Sequence, residues 1–292
     1  MRARRDYFRG RRVLVTGAAS GIGRATARAA ARAGAHLVLT DLDATALAAL
    51  ADEISSEGGA VAHTAALDIT DYDAVRTMAD AVHDAHGSVD VVMNVAGIAI
   101  WGAVEHLTHD DWRRTIEVNL MGPIHVIECF VPPMIAAGRG GHIVSISSAA
   151  GLFGLPWHAP YSATKFGVRG ISEVLRFDLR RHGIGVSVVL PGAVNTSLVD
   201  RVHVAGMDRD DPRVQRLIGR FRRHAIPPER AAATILDGVE RGRYLIFTSR
   251  DIQVTHWLQR KWELPYAIAM RVVNRRLLSG LDDAPTARPP TP

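Results

Sequence analysis

A tyrosine and a lysine spaced one helical turn apart are the residues of this sequence best suited to acid–base chemistry. Tyr161 and Lys165 stand at positions i and i+4 of the segment YSATK. On an α-helix these positions share a face, so the phenol and the ammonium would lie in one site. A phenol titrates near pH ~10, but a neighbouring ammonium favours the phenolate and lowers that pKa. The pair therefore predicts that Tyr161 is an acid–base group and that Lys165 lowers its pKa.

The scarcity of lysine makes Lys165 more informative. The chain has 35 lysines and arginines together, and only Lys165 and Lys261 are lysines. Lysine is a compact donor that can reach a second partner, whereas the guanidinium of arginine is a broad, rigid fork. The alternative is an ordinary exposed Tyr–Lys pair on a helix surface. The rest of the chain decides between the two.

Short apolar strands alternate with helical segments and must position this pair. Seven strands are predicted at 12–17, 36–41, 60–68, 89–97, 141–147, 185–192 and 243–249. Helices are predicted at 22–33, 44–57, 72–86, 109–134 and 161–182. Near-continuous apolar strands separated by helices are typical of a parallel sheet covered on both faces. With right-handed crossovers, the pattern predicts a doubly wound α/β fold.

A glycine-rich turn follows the first strand, in the segment TGAASGIG. Glycines there allow a tight turn and a close approach of the backbone to a pyrophosphate, while the following helix supplies free N–H groups. The turn predicts a dinucleotide site at its central residues, Gly17, Ser20, Gly21, Ile22 and Gly23.

Asp41 ends the second strand and bears on the choice of dinucleotide. A carboxylate at this point can accept hydrogen bonds from both hydroxyls of an adenosine ribose, and it would repel a 2′-phosphate. Neither Ser20 in the turn nor Leu42 after the aspartate supplies a cation for that phosphate. NAD is therefore favoured over NADP.

Together these motifs resemble the short-chain dehydrogenase/reductase family. TGAASGIG, NVAG at 94–97, Ser148 thirteen residues before Tyr161, YSATK and PGAVNT at 191–196 follow that family's order and spacing over about residues 11–250. The resemblance implies a single domain with a seven-stranded Rossmann-type sheet, assembled as a homodimer or homotetramer. Val95 replaces an asparagine that is common in the family, which affects only a supporting contact.

The resemblance also implies a role for each matching residue. Ser148, rather than Ser147, would be the catalytic serine, with Tyr161 as acid/base, Lys165 on the nicotinamide ribose and Asn119 holding a proton-relay water. The remaining cofactor contacts would come from Asp68, Asn94, Ala96, Gly97, Pro191, Gly192 and Thr196. A separate possibility for Asn119 is a plain polar residue of its helix.

The segments expected to meet the substrate are apolar. Phe153, Leu155 and Trp157 precede Tyr161, and Ile98, Ile100 and Trp101 follow the fourth strand. Both segments lie at carboxyl ends of strands, where ligands bind in open sheets. A hydrophobic alcohol or ketone would suit such a pocket, although the same residues could simply pack a loop. His158 is interpreted as a surface loop histidine rather than a second acid.

We expect an oxidoreductase domain over residues 1–250, with a substrate loop at about 195–226. A C-terminal extension at 251–280 and a disordered tail at 281–292 follow. In the extension, Tyr266, Met270, Val273 and Leu277 would share one apolar face among arginines. That face could pack on the protein, at the substrate entrance or between subunits, or it could touch a membrane surface.

Composition limits the remaining classes. The net charge of +5 comes from scattered arginines, so nucleic-acid binding is not expected. The single cysteine, Cys129, excludes an internal disulfide and a multi-cysteine metal site, and no metal is expected. No apolar segment follows the basic N-terminus, and no uninterrupted apolar run reaches ~18 residues, which favours a cytoplasmic protein with at most peripheral membrane contact.

The sequence as a whole predicts an NAD-dependent oxidoreductase that interconverts a secondary, hydrophobic alcohol and its ketone. One alternative is an NADP-dependent reductase of ketones or 3-oxoacyl thioesters. Another, from a different class, is a catalytically silent dinucleotide-binding sensor or scaffold.

Overall fold

Seven parallel strands form one sheet at the centre of the protein. The structure is a computed structural model and describes residues 6–278. The strands are β1 (Arg12–Thr16), β2 (His36–Asp41), β3 (Ala60–Ala66), β4 (Val91–Asn94), β6 (Gly141–Ile146), β7 (Ile184–Leu190) and β9 (Leu245–Phe247), in the order β3-β2-β1-β4-β6-β7-β9. A separate two-stranded sheet pairs β5 (Ile100–Trp101) with β8 (His203–Val204). The predicted doubly wound α/β fold with seven parallel strands is confirmed.

Helices connect the strands and cover both faces of the sheet. They are α1 (Gly21–Arg32), α2 (Ala44–Ser56), α3 (Tyr72–His86), α4 (His109–Ile116), α5 (Gly122–Ala137), α6 (Ala159–Asp178), α7 (Ser197–Asp200), α8 (Pro212–Arg223), α9 (Pro228–Glu240), α10 (Arg250–Gln259) and α11 (Glu263–Leu278). Helices α1, α2 and α9 pack on one face, whereas α3 and α5 pack on the other. The strand residues are buried on both sides, because both faces carry helices.

A π-helical turn interrupts the helix that was predicted to run continuously from 109 to 134. Residues Glu117–Met121 form this turn, and the N–H of Gly122 bonds to the carbonyl of Glu117, five residues earlier. Pro123 has no N–H to donate to the carbonyl of Asn119, so the regular α-helical ladder cannot pass this point. The turn places Asn119 inside the protein, where π-bulges often serve a functional site.

The helix from His109 to Ala137 is long and apolar enough to cross a membrane by length and composition alone. Its apolar residues have a simpler explanation in the fold. Val126, Phe130 and Met134 are buried in one core cluster with strand residues such as Val92 and Ile143. The helix is therefore a core element that packs on the sheet.

The expected substrate loop at about 195–226 contains α7, β8 and α8. Val199, Val204, Val214 and Ile218 from this segment form a satellite apolar cluster with Trp101 of β5. The isolated bridge between Val194 and Ile226 closes the segment at its base. The segment is thus a small packed cap above one edge of the main sheet.

The C-terminal extension forms two helices, α10 and α11, that pack beside β7 and β9. Ile252 and Tyr266 join an apolar cluster with Phe153 and Phe247. The predicted single apolar face is only partly seen, because Val273 is exposed, and so are Leu264, Ile268 and Val272 on other sides of α11. The side chain of Leu277 and the predicted tail at 281–292 lie outside the described residues.

One core histidine gives the fold a testable response to acid. His142, at the start of β6, is buried, and its Nε2 donates to Ser187 Oγ at 2.7 Å, because that hydroxyl itself donates to the carbonyl of Arg243. Burial, with a smaller contribution from Arg11, lowers the pKa of His142 to about 4. Between that value and the ordinary 6.5, the unfolded chain binds a proton that the folded chain does not.

We expect the free energy of unfolding to fall as the pH drops through this window. His142→Gln should flatten the decline by up to about 1.4 kcal/mol per pH unit, since one proton is removed from the linkage. Urea titrations across the window measure the slope, with the exposed His36→Gln as the matched control. Equal slopes for His142→Gln and the wild type would show that this histidine does not carry the acid sensitivity.

Candidate active site

A single cavity of about 780 Å³ runs along the carboxyl ends of the central strands. This volume lies within the range of ligand pockets in proteins, roughly 300–1,000 Å³. Most of the residues predicted for the site line it: Gly17, Ser20, Gly21, Ile22, Gly23, Asp41, Asp68, Ala96, Gly97, Ser148, Tyr161, Lys165, Pro191, Gly192 and Thr196. Asn94 and Asn119 lie behind the wall, fully or almost fully buried.

The glycine-rich turn forms one end of the cavity. Gly17 has φ +64°, and a Cβ atom there would lie 2.7 Å from the Cα of Ala96. A Cβ on Gly23 would lie 1.9 Å from the carbonyl oxygen of Gly17. Only glycine fits both positions, so the turn can pack this closely on its own backbone and on the loop after β4. Ser20 has an extended backbone, and its side chain does not cap α1.

Asp41 is fixed at the end of β2, next to this turn. Its carboxylate accepts hydrogen bonds from the N–H of Ala19 at 2.8 Å and from the N–H of Asp43 at 3.1 Å. The cap of α2 comes from Asp43 instead, which accepts from the N–H of Ala46 at 3.0 Å. Asp41 therefore faces the cavity as a positioned carboxylate rather than as a helix cap.

The segment after β4 is held by Thr16. The Thr16 hydroxyl accepts from the N–H groups of Val95 and Ala96, at 3.0 and 3.1 Å. Both amide atoms of buried Asn94 lack a hydrogen-bond partner within the described chain. Asp68 instead closes a local turn by accepting from the N–H of Thr70 at 2.9 Å. Unpaired buried amide atoms are unusual in folded proteins.

Asn119 is locked in place by the loop that follows β4. Its Oδ1 accepts from the N–H of Ile98 at 2.8 Å, and its Nδ2 donates to the carbonyl of Ile98 at 2.9 Å. A Cβ on Gly97 would lie 2.9 Å from Asn119 Oδ1, so that glycine lets the asparagine approach. The structure places Asn119 one layer behind the cavity wall and in contact with the loop that forms it.

The third segment predicted for the cofactor lies beyond β7. The carbonyl of Pro191 accepts from the N–H of Ala149 at 3.0 Å, and the N–H of Gly192 donates to Thr248 Oγ1 at 3.2 Å. The side chain of Thr196 lies against Gly21, since a Cβ atom on Gly21 would be 3.0 Å from the Cβ of Thr196. These contacts bring the β7 segment next to the glycine-rich turn.

The two serines at the end of β6 have different environments. The hydroxyl of Ser147 donates to the main-chain carbonyl of Lys165 at 2.8 Å. Ser148 lies beside the phenol of Tyr161 and lowers its pKa, and the Ser148 oxygen accepts from the N–H of Ala150 at 3.1 Å. Ser148 is therefore the serine beside the phenol, as the resemblance to the family implies.

Tyr161 and Lys165 share one face of α6 at the floor of the cavity. The Lys165 side chain is only 4% exposed, and its Nζ donates to the carbonyl of Ile146 at 3.0 Å. Nζ lies 5.6 Å from the centre of the Tyr161 ring. Burial lowers the pKa of Lys165 to about 8.

The pKa of Tyr161 is governed by its burial in the site. Burial raises the pKa of the phenol, and the hydrogen bond from Ser148 only partly opposes this. The expectation that Lys165 lowers the pKa of Tyr161 stays a prediction, because burial and Ser148 are the causes that act on the phenol here. The Lys165 ammonium lies 5.6 Å from the ring centre and is directed toward the carbonyl of Ile146.

The remainder of the cavity is largely apolar. Ile98, Trp101, Phe153 and Leu155 line it as expected, whereas Ile100 and Trp157 do not. Trp157 instead packs against the satellite cluster of Trp101 and Val199. Further lining residues, which the sequence did not indicate, are Arg113, Arg114, Leu198, Val199, Arg201, Phe221 and Ile252. Nothing in their spacing singles them out, because they come from four separate elements and loops.

His158 also lines the cavity, which corrects its interpretation as a surface histidine. Its ring centre lies 4.8 Å from that of Trp101 and 6.3 Å from that of Tyr161. Burial lowers the pKa of His158, although a hydrogen bond to the carbonyl of Pro156 opposes this. The position of His158 could not be predicted from the sequence, because residue types do not show the turn that directs its side chain into the cavity.

Taken together, the polar groups of the cavity suit a dinucleotide. The glycine-rich turn leaves room beside the N-terminus of α1, Asp41 can accept from ribose hydroxyls, and Lys165 is a buried cation. No cluster of three or more His, Cys, Asp or Glu that could hold a metal occurs within residues 6–278.

Comparisons with known proteins agree with this geometry. The family model for short chain dehydrogenases matches residues 11–205. The chain is 36% identical over 255 residues to SadH of Mycobacterium tuberculosis, covering 87% of this chain and 91% of that protein. A short-chain dehydrogenase/reductase from Burkholderia phymatum, in complex with NAD, superposes with a TM-score of 0.79 at 32% identity, covering 87% of this chain and 94% of that one.

A second solved structure shows the other cofactor. A metagenomic short-chain oxidoreductase in complex with NADP has a TM-score of 0.66 at 32% identity, covering 82% of this chain and 98% of that one. Proteins similar to this chain therefore bind NAD or NADP. The matched motifs, the sheet order and these comparisons show that the chain is an enzyme of the short-chain dehydrogenase/reductase family.

Proposed function

We propose that this enzyme is an NAD-dependent oxidoreductase that interconverts a secondary, hydrophobic alcohol and its ketone. The observation that carries the proposal is the meeting of Ser148, Tyr161 and Lys165 in the cavity that also holds the glycine-rich turn. Asp41, held toward that turn by the N–H of Ala19, supports NAD. The apolar wall around Phe153 and Phe221 supports a hydrophobic substrate.

In the oxidative direction, Tyr161 acts as the base that takes the proton from the substrate hydroxyl. Ser148 donates a hydrogen bond to the oxygen as the carbonyl develops. Lys165 supplies a positive charge near the phenol and would donate hydrogen bonds to the ribose hydroxyls of the cofactor. Asn119 holds the loop after β4 in place. A bound oxidised nicotinamide would accept the hydride from the carbinol carbon, and its positive charge would offset the effect of burial on the Tyr161 pKa.

The two alternatives are weaker on this geometry. An NADP-dependent reductase would need a cation for the 2′-phosphate near Asp41, where Ser20 and Leu42 are neutral. A silent sensor or scaffold would not need the contact between Ser148 and Tyr161, nor a buried lysine beneath them.

The first catalytic test replaces the proposed base. Tyr161→Phe should lower turnover by about 10²–10⁴-fold, because a positioned acid–base group contributes that much, while the Kd for NADH stays near the wild-type value. Lys165→Arg should also lose activity, since the guanidinium keeps the charge but not the shape. Initial rates of NADH formation and a fluorescence titration of NADH measure the two quantities.

Ser147→Ala is the matched control for Ser148→Ala in the same assay. Ser148→Ala should impair turnover far more, because only Ser148 contacts the phenol. Near wild-type turnover by Tyr161→Phe would assign the base to another residue.

The second test concerns the cofactor. Asp41→Ala should narrow the preference for NAD over NADP, because it removes both an acceptor for the ribose hydroxyls and a charge that repels the 2′-phosphate. Binding of both cofactors to wild type and variant is measured by calorimetry. Asp43→Ala, which removes only the cap of α2, is the control and should leave the preference in place. A wild-type preference for NADP would refute the assignment.

We also propose that the enzyme assembles as a homodimer or homotetramer. Large apolar side chains are exposed on α4 and α6, namely Ile116, Phe166, Val174 and Phe177. Exposed apolar residues concentrated on neighbouring helices are typical of subunit contacts.

The third test concerns the C-terminal extension, which we propose is a docked cover of the substrate entrance. Ile252 of α10 lines the cavity, and the hydroxyl of Tyr266 in α11 donates to the carbonyl of Gly154 at 2.9 Å. A chain ending at Arg250 keeps all nine described strands, but it should show a higher KM for bulky alcohols with kcat largely retained.

A chain ending at Leu278 is the control, because it keeps both helices. Sedimentation compares the oligomeric state of the two truncated chains. A change of that state in the shorter chain indicates a subunit contact, and an unchanged state with a higher KM indicates a cover. If only the control and the full chain pelleted with anionic vesicles, with kinetics and assembly equal in all three, the cover would be refuted in favour of a membrane contact.

A further inference from the structure

A strained turn directs His158 into the cavity. The N–H of His158 donates to the carbonyl of Leu155 at 3.2 Å, so residues 155–158 form a β-turn. Pro156 occupies its second position, and Trp157 occupies the third with φ +68°. A turn of this type requires positive φ at the third position, where glycine is usual. Trp157 is the one non-glycine residue with positive φ among residues 6–278.

Contacts on two sides hold this unfavourable conformation. The carbonyl of Trp157 accepts from the N–H of Gly102, in the other substrate loop, at 2.8 Å. The indole of Trp157 packs in the satellite cluster with Trp101 and Tyr161. A residue kept in a sparsely populated backbone region marks a position that the surrounding structure determines. What the turn determines here is the direction of the next side chain, His158.

The hydrogen bonding of His158 fixes which nitrogen carries the proton. Nδ1 lies 2.7 Å from the carbonyl oxygen of Pro156. A carbonyl oxygen only accepts, so Nδ1 must be the protonated nitrogen. Burial lowers the pKa of His158, which keeps the imidazole neutral near pH ~7. In that tautomer Nε2 carries a lone pair and can only accept a hydrogen bond.

The surroundings leave this acceptor to a ligand. Within the described chain, His158 makes its one side-chain hydrogen bond through Nδ1. The His158 ring lies near the rings of Trp101 and Tyr161, and the Trp101 ring in turn lies 6.3 Å from that of Phe221. A buried acceptor held between aromatic rings discriminates strongly between ligands that place a donor there and ligands that do not.

We propose that His158 is a specificity-determining residue, whose Nε2 accepts a hydrogen bond from a second hydroxyl of the substrate, close to the carbon that Tyr161 and Ser148 act on. The favoured substrates are therefore diols or hydroxy ketones with an apolar body, rather than simple secondary alcohols. This inference rests on the proposed alcohol oxidation, whose base is Tyr161.

The test compares two alcohols that differ by one hydroxyl: cyclohexanol and cyclohexane-1,2-diol, the latter as separate cis and trans isomers. The measured quantity is the ratio of kcat/KM for the better diol to kcat/KM for cyclohexanol, with NAD as oxidant. We expect His158→Phe to lower this ratio about tenfold, since the variant keeps a flat ring but has no acceptor. His158→Gln should retain a larger share of the ratio than His158→Met, because the two are similar in size and only glutamine offers an acceptor.

Phe221→Leu is the control, because it changes the cavity wall without removing an acceptor and should alter both substrates by the same factor. If His158→Phe does not fold, as judged by NADH binding, the Gln and Met pair carries the same comparison. A ratio that is equal in wild type, His158→Gln and His158→Met overturns the inference while leaving the oxidoreductase assignment in place. Failure of the wild type to reduce NAD with any secondary alcohol overturns the proposed function, and the inference with it.

Discussion

The burial of Lys165 is the constraint around which the active site is built. A shift of its pKa from 10.5 to about 8 means that burial disfavours the ammonium by about 3 kcal/mol. The bond from Nζ to the carbonyl of Ile146, at the end of β6, returns part of that cost. A second bond, from Ser147 to the carbonyl of Lys165, joins the same helix to the same strand end. These two bonds fix α6 against β6. Tyr161, one helical turn before Lys165, is thereby held beside Ser148.

The two sides of the cavity differ in which part of the chain forms them, backbone on one side and side chains on the other. On the cofactor side the chain offers backbone, because Gly17 and Gly23 exclude side chains and Thr16 holds two N–H groups of the opposite loop. On the substrate side it offers side chains from loops, which are joined through the bond from Gly102 to Trp157. Backbone geometry recognises what all dinucleotides share, whereas loop side chains can change without disturbing the sheet. This division explains how proteins that share a fold can share a cofactor and still act on different substrates.

The sequence predicted best those elements whose ends are set by local chemistry. Helix α3 begins and ends as predicted, because Asp71 caps its first turn and Gly87 stops it. The π-helical turn was missed, although Pro123 already removes the N–H that a regular helix needs at that point. The choice of Ser148 over Ser147 came from the resemblance to the family, in which the serine stands thirteen residues before the tyrosine. The raised pKa of Tyr161 could not be foreseen, because burial is a property of the assembled site.

His158 and the C-terminal extension show the same limit at a longer range. The direction of the imidazole depends on the backbone of Trp157, whose positive φ is sustained by a bond to Gly102 more than fifty residues earlier. Likewise, α11 contacts the loop before His158 through a hydrogen bond from the Tyr266 hydroxyl to the carbonyl of Gly154, two residues before Pro156. The extension, the strained turn and the imidazole thus form a continuous series of contacts along one loop. A substrate that hydrogen-bonds His158 would therefore contact a loop whose backbone is held by Gly102 and by Tyr266.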